Sequence, residues 1–383
     1  MYAARSRKDS DLGEIMKRRY KILIGAAGVI AVAVVTLGAV LAHESPCPAI
    51  PESTSGDSNV KAWMYRCYGG PEVLQLESMP KPVPADDEVL VKVHAASLNP
   101  LDWHYLRGEP RLMRMEAGIG APKEPSLGVD YAGVVESVGK DVTKFKAGDE
   151  VYGARGGAFG EYVRVRESRN IVLKPASLSF QQAAAVPIAA VTALQAVRDQ
   201  GKVKRGQKVL INGASGGVGT FAVQLAKNLG AEVTAVCSGR NVEMVGALGA
   251  DHVVDYTKED VTAGTTKFDV IIDTVGTHSL SDYRRVMTDH AEFVIVGAPN
   301  EGKWLGAMSF VMKAKVYGMF VSQQFHFFLA EVNPGDLNLL SALMQEGKVK
   351  PVIDKTYPMS ELPEAMRYLE AGHARGKIVI NIE

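Results

Sequence analysis

Cysteine is scarce in this 383-residue chain: Cys47, Cys67 and Cys237 stand far apart and make neither a disulfide framework nor a Cys-x-x-Cys zinc site. Net charge is absent too, with Lys plus Arg and Asp plus Glu at 43 each, so nothing points to nucleic acid or to an acidic partner. The eight histidines are scattered, and lone ones such as His94 or His252 read as strand or surface residues rather than ligands. No internal repeat recurs, and low complexity is confined to the N-terminal region, which excludes a solenoid. The length suffices for two or more domains with a sizeable core.

What is present begins with a basic tail, residues 1–21, carrying Arg5, Arg7, Lys8, Lys17, Arg18, Arg19 and Lys21. An uncharged run follows from Ile22 to Ala42. As a helix it would extend about 32 Å, enough for the hydrocarbon core of a bilayer, so residues 22–42 are expected to form a single-pass transmembrane anchor. A cleaved secretory signal is the alternative, with Val40 and Ala42 as small residues before a cut. Basic residues precede the span, and the positive-inside tendency then puts the larger part outside the cytoplasm. Arg18-Arg19 resembles a twin-arginine signal, but Lys21 interrupts its apolar part, and the side of the membrane stays undecided. Residues 43–60, rich in Pro, Ser, Glu and Gly, read as a flexible linker.

The stretch that organises the rest is Gln-Lys-Val-Leu-Ile-Asn-Gly-Ala-Ser-Gly-Gly-Val-Gly-Thr, residues 207–220. A β-branched and aliphatic run ends at Asn212-Gly213, and Val218, Phe221, Ala222, Leu225 and Ala226 then fall at helical spacing on one face. Strand, tight turn and helix in this order suit a dinucleotide: Gly216 lets backbone approach a pyrophosphate, Gly219 lets helix and strand pack closely, and the helix N-terminus offers unpaired N–H groups. Ala214 replaces the first glycine of the usual fingerprint. A second strand, Glu232 to Val236, comes about 20 residues on, where an acid would hold an NAD ribose. Here the chain reads Cys237-Ser238-Gly239-Arg240-Asn241. A hydroxyl and a guanidinium suit a 2′-phosphate, which a carboxylate would repel, so NADPH is favoured over NADH.

Elsewhere, short alternating strands at 88–94, 131–138 and 162–165 mark a small, mostly antiparallel β domain. Ser179 with Gln182 predicts a capping box, and Pro187 a break between two helices. Strands are expected at 252–254, 270–273 and 293–296. The last two lead into Val275-Gly276 and Gly297, small residues at the sheet edge where ligands bind. Helices at 337–345 and 362–371 and a strand at 377–382 complete the chain.

Residues 61–383 resemble the medium-chain dehydrogenase/reductase superfamily, in its zinc-independent quinone oxidoreductase branch. The resemblance is carried by Leu98-Asn-Pro-Leu-Asp-Trp103, Gly128-Val-Asp-Tyr-Ala-Gly-Val-Val135, Ala147-Gly-Asp-Glu-Val-Tyr-Gly153, Phe159-Gly-Glu-Tyr-Val163, the 212–219 turn, Leu248-Gly-Ala-Asp251 with Asp255-Tyr256, and Gly376-Lys-Ile-Val379. It implies an α/β fold: a Rossmann domain with a doubly wound parallel sheet over 188–324, beside a GroES-like β-rich catalytic domain over 61–187 completed by 325–383. Zinc-dependent relatives have Cys at the position of Asn99 and Gly-His-Glu at the position of Gly128-Val129-Asp130, so no metal ligand set is expected.

The expected activity is therefore hydride transfer from NADPH to a quinone or an α,β-unsaturated carbonyl compound, by a membrane-tethered enzyme that the resemblance suggests is a homodimer. By resemblance, Thr192 contacts the nicotinamide carboxamide, Ser215, Gly216, Gly217 and Val218 the pyrophosphate, and Tyr256 the adenosine end. Ser238, Arg240 and Lys377 are expected at the 2′-phosphate. Asn99 is the expected donor to a developing enolate or quinol oxygen, with Asp102, His104 or Tyr105 relaying a proton. Asn99 and Asp102 also read as plain turn formers. Two alternatives stay open: a non-catalytic nucleotide- or partner-binding protein at the membrane on the same fold, and an NAD(P)-dependent alcohol dehydrogenase.

Overall fold

The computed structural model describes residues 20, 28, 31–49, 59–299 and 302–383. An antiparallel pair, β1 (Asn59–Met64) and β2 (Gln75–Pro80), precedes the catalytic sheet of β3 (Glu88–Ser97), β4 (Asp130–Val138), β5 (Glu150–Ala154), β6 (Tyr162–Arg166) and β7 (Ile171–Leu173). The nucleotide-binding sheet follows as β8 (Lys208–Asn212), β9 (Glu232–Cys237), β10 (His252–Asp255), β11 (Phe268–Asp273), β12 (Met287–Ile295) and β13 (Gln324–Phe327). The chain then returns to the catalytic sheet with β14 (Ile353–Pro358) and β15 (Lys377–Asn381).

The six-stranded sheet is parallel throughout, in the order β10-β9-β8-β11-β12-β13. Its order reverses at β8, so a crevice opens beyond the carboxyl end of β8, where the Gly-rich turn lies. Val209, Leu210 and Ile211 are fully buried because helices cover both faces, and each such side chain contributes about 1.5–3 kcal/mol. The seven-stranded sheet runs β14-β15-β3-β4-β5-β7, with β6 closing on β3. Its core holds Val89, Val91, Val163 and Val165, the inward members of the alternating pattern.

The helical signals of the sequence sit where they are expected. Ser179 Oγ accepts from Gln182 N while Gln182 Oε1 accepts from Ser179 N, and a second helix starts at Pro187. β13 continues the nucleotide-binding sheet to Phe327, past the expected limit at residue 324. Leu337, Leu340 and Met344 of the helix Pro334–Gln345 join a core that holds residues of both sheets, Val209 and Ile211 with Ala95 and Tyr152.

The N-terminal expectations need correction. Among the described residues no helix is long and apolar enough to cross a membrane, so the single-pass anchor is withdrawn. Of the expected span 22–42, residues 28 and 31–42 are described as helical and the remainder lies outside the described residues. Leu41 is buried, and the backbone at Gly38 lies so close to Trp304 that an added Cβ would sit 3.6 Å from its ring. Residues 43–49 do not behave as a free linker either. Arg114, completely buried, donates to Leu41 O at 3.2 Å, His43 O at 3.3 Å and Glu44 Oε1 at 3.0 Å, and its guanidinium lies 4.5 Å from the centre of the Tyr68 ring. Ser45 N donates to Gly120 O, and Cys47 is disulfide-bonded to Cys67. The cysteine spacing concealed this pair because the chain doubles back through β1.

Candidate active site

The Gly-rich turn forms where β8 ends. Gly213 takes a positive φ of 80°, and a Cβ on Gly219 would fall 2.2 Å from Gly213 O, so only glycine lets the helix Gly217–Asn228 start this close to the strand. Gly216 caps that helix in an extended conformation with no side-chain cap, leaving the first N–H groups for a ligand. Below the turn, Asn212 Nδ2 donates to Asp273 Oδ1 at 3.0 Å and to Tyr283 Oη at 2.9 Å. Asp273 Oδ1 also accepts from Gly276 N at 2.8 Å, which fixes Val275-Gly276 at the same sheet edge as Gly297.

On the adenosine side the residues converge. Asn241 Nδ2 donates to both Ser215 Oγ and Ser238 Oγ at 3.0 Å, tying the turn to the end of β9. Asn241 Oδ1 is buried without a hydrogen-bond partner among the described residues, and Asp255 Oδ2 faces Lys258 Nζ at 3.3 Å. An orphaned amide oxygen suits a donor such as a ribose hydroxyl, while the N–H groups of the open helix terminus suit a dinucleotide phosphate. Arg240 is exposed and donates to His373 O at 2.8 Å, and Tyr256 is exposed on the neighbouring loop. Sequence reasoning missed Asn241, although its place four residues past the end of β9 was the available signal. It also missed Asp255, which packs against Gly239 from the next strand; Thr257 and Lys258 hold its carboxyl below the usual carboxylate range.

Lys377 is not where the sequence reading put it. It is 3 % exposed, and its ammonium turns into the catalytic domain, donating to Leu98 O at 2.8 Å and Asn99 Oδ1 at 2.6 Å and facing Asp130 Oδ2 at 3.4 Å. It is thus unavailable to a 2′-phosphate. Its stem passes beneath the turn, 3.2 Å from where a Cβ on Gly217 would be, and Gly376 N donates to Ser215 O at 2.8 Å. One backbone bridge therefore joins the Gly-rich turn to Lys377 and the side chains around it.

Those residues form a closed buried network. Asn99 Nδ2 donates to Asp130 Oδ2 at 2.9 Å, Ser97 Oγ donates to the same oxygen at 3.0 Å, and Ile188 N donates to Asp130 Oδ1 at 3.0 Å. Asp102 Oδ2 accepts from Asn99 N at 2.7 Å, within the capping box of the helix Pro100–Arg107. Burial, opposed by this bond and by Lys377, pushes the Asp102 carboxyl up to about 7. Burial likewise raises Asp130 and lowers Lys377, each partly offset by the other. Asn99 is 2 % exposed and stands with Asp102 at the start of that helix, as the turn-forming reading expects.

Other expected residues are less engaged. Burial raises the half-buried Tyr105, and His104, lowered by burial, has its Nδ1 2.7 Å from Glu109 O. Thr192 Oγ1 donates to Ile188 O at 2.7 Å, one helical turn back. A divalent metal does not fit here. Asn99 and Asp130 offer two oxygens, and the Lys377 ammonium between them would repel the ion. Among the described residues no group of three or more His, Cys, Asp or Glu could hold a metal.

Comparison with known proteins agrees with this architecture. Residues 85–176 match the alcohol dehydrogenase GroES-like domain, and residues 248–380 match the zinc-binding dehydrogenase family. The mitochondrial NAD(P)H oxidoreductase RTN4IP1 of Mus musculus is 36% identical over 88% of this chain and 93% of its own length. The chloroplastic NADPH-dependent alkenal/one oxidoreductase of Arabidopsis thaliana is 36% identical over 84% of this chain and 79% of its own length. The chain belongs to the medium-chain dehydrogenase/reductase superfamily, among its NAD(P)H oxidoreductases. In three dimensions it is similar to the quinone oxidoreductase from Coxiella burnetii, with a TM-score of 0.73 and 33% identity over 85% of this chain and all of that one.

Proposed function

We propose that this protein reduces a quinone or an α,β-unsaturated carbonyl compound with NADPH, without a metal. The observation that supports this reading is the direct junction between the Gly-rich turn and the Lys377–Asn99–Asp130 network. NADPH, when bound, supplies the hydride. The chain does the rest. The N-terminus of the helix Gly217–Asn228 and Ser215 hold the pyrophosphate, while Ser238 and Arg240 hold the 2′-phosphate and disfavour NADH.

At the other end, Lys377 and Asp130 pin the Asn99 amide by its oxygen and by one of its two N–H groups. The second N–H is the donor for the negative charge that grows on the acceptor oxygen. Asp102, protonated near neutrality, keeps the network from carrying an anion beyond the one that Lys377 offsets. Solvent supplies the proton of the reduced product. The homodimer suggested by the resemblance has support in β13, which among the described residues is an edge strand paired with β12 alone.

Binding of NADPH and NADH to the full chain, followed by absorbance with a quinone and with an enone, tests the reading. Tighter NADPH binding, reduced by Arg240→Ala, is expected. Equal affinities for the two coenzymes would refute the 2′-phosphate assignment, and no oxidation with any acceptor would refute the reaction.

A further inference from the structure

A cavity of about 620 Å³ opens beside the buried network, at the boundary of the two domains. Its apolar lining comes from both sides of that boundary: Val129 and Ala154 next to the catalytic sheet, and Ile188, Ala330 and Val332 from the later part of the chain. Val129 and Ile188 flank Asp130, one by sequence and the other by the Ile188 N–H bond to its carboxylate. This lining therefore lies against the proposed reaction centre. Its size is that of a small-molecule site.

The rest of the lining has a different character. Arg155, Arg166 and Arg169 belong to it, with Glu88 as its carboxylate. Glu88 faces Arg164 at 3.7 Å, and Arg166 faces Asp87 at 3.5 Å, so those charges are matched locally. Arg155 and Arg169 are not. Among the described residues neither has a carboxylate within ion-pair distance, and the Arg155 side chain is held only by Nε donating to Arg164 O at 3.2 Å. Arg155 N donates to Val129 O at 2.7 Å, which fixes the start of this side chain next to the apolar lining. Two unpaired guanidinium groups over an apolar floor present planar forks of donors to an anion.

We propose that this cavity selects acceptors with an apolar conjugated body and an anionic end, the body against Val129 and Ile188 and the anion at Arg155 and Arg169. The proposal rests on reading the adjacent network as the centre of carbonyl reduction, and it adds the substrate class. A carboxylate end would recover through charge-assisted hydrogen bonds what it loses in hydration, whereas a neutral acceptor of the same length would leave both guanidinium groups unused.

The test compares a straight-chain enone bearing a terminal carboxylate with its methyl ester, as the ratio of kcat/KM values at low ionic strength. The wild-type ratio is expected to favour the carboxylate by about ten-fold. It should shrink in Arg155→Ala and Arg169→Ala, survive in part in Arg155→Lys, and narrow as salt is added. Binding of the saturated oxo-acid, which has no reducible double bond, is measured by calorimetry on the same proteins. Weaker oxo-acid binding in the alanine variants supports the anion site even if no acceptor is turned over, which would count only against the reductase reading. A wild-type ratio near one, a ratio unchanged in the variants, or NADPH affinity that falls with Arg155→Ala would each overturn the proposal; the last would make the arginine a cofactor ligand.

Discussion

Replacing Lys377 with methionine preserves most of the side-chain volume and removes a single buried charge. Asp130, wholly inaccessible to solvent, would keep its hydrogen bonds from Ser97, Asn99 and the Ile188 N–H but would face no cation. Breaking a buried pair in this way costs about 3–5 kcal/mol, most of it the stranded charge rather than the lost contact. Adding Asp130→Asn to Lys377→Met removes the stranded charge, and the double variant is expected to recover at least half the loss. Urea denaturation of the full chain reads this as a fall in midpoint at constant slope. Two results would refute the reasoning: a single variant within about 1 kcal/mol of wild type, or a double variant as unstable as the sum of its parts.

Asp102 predicts a pH signature. Its carboxyl holds a proton up to about 7 when folded and up to about 4 when unfolded, so the folded state binds more protons between these values. Stability should fall as pH rises through that window, by about 4 kcal/mol at its upper end, and Asp102→Asn should flatten the slope while still accepting from Asn99 N; an unchanged slope would rule this out. Two glycines of the turn should separate. Gly219→Ala meets Gly213 O at 2.2 Å and should lower the melting temperature, whereas a Cβ on Gly216 meets nothing nearer than 3.5 Å and should cost NADPH affinity with little change in stability. Equal effects on melting would contradict that division. Opening the Cys47–Cys67 bridge, which closes 20 residues of chain, with a dithiol or by Cys47→Ser should cost about 3 kcal/mol; an unaltered urea midpoint would show the bridge to be energetically idle.

The amino-acid order alone determined whatever depends on near neighbours. The glycine spacing at 213–219, the capping box at Ser179, the break at Pro187 and the buried run of β8 each follow from a few consecutive residues, whose backbone preferences and periodicity carry over into the fold. The apolar run at 22–42 was equally visible, but hydropathy over about 20 residues cannot say whether protein or lipid covers it, and the buried Leu41 has protein around it. Lys377 meets Asn99 across 278 positions and Asp130 across 247 because β15 pairs with β3 and β3 with β4, a strand order that no local pattern encodes. The same holds for the Cys47–Cys67 bridge, the Asn241 link between Ser215 and Ser238, and the arginines around the cavity. Side chains far apart in the chain find their partners only when the sheets have formed, so the cradle was legible beforehand, while the buried charge network beside it was decided by tertiary structure.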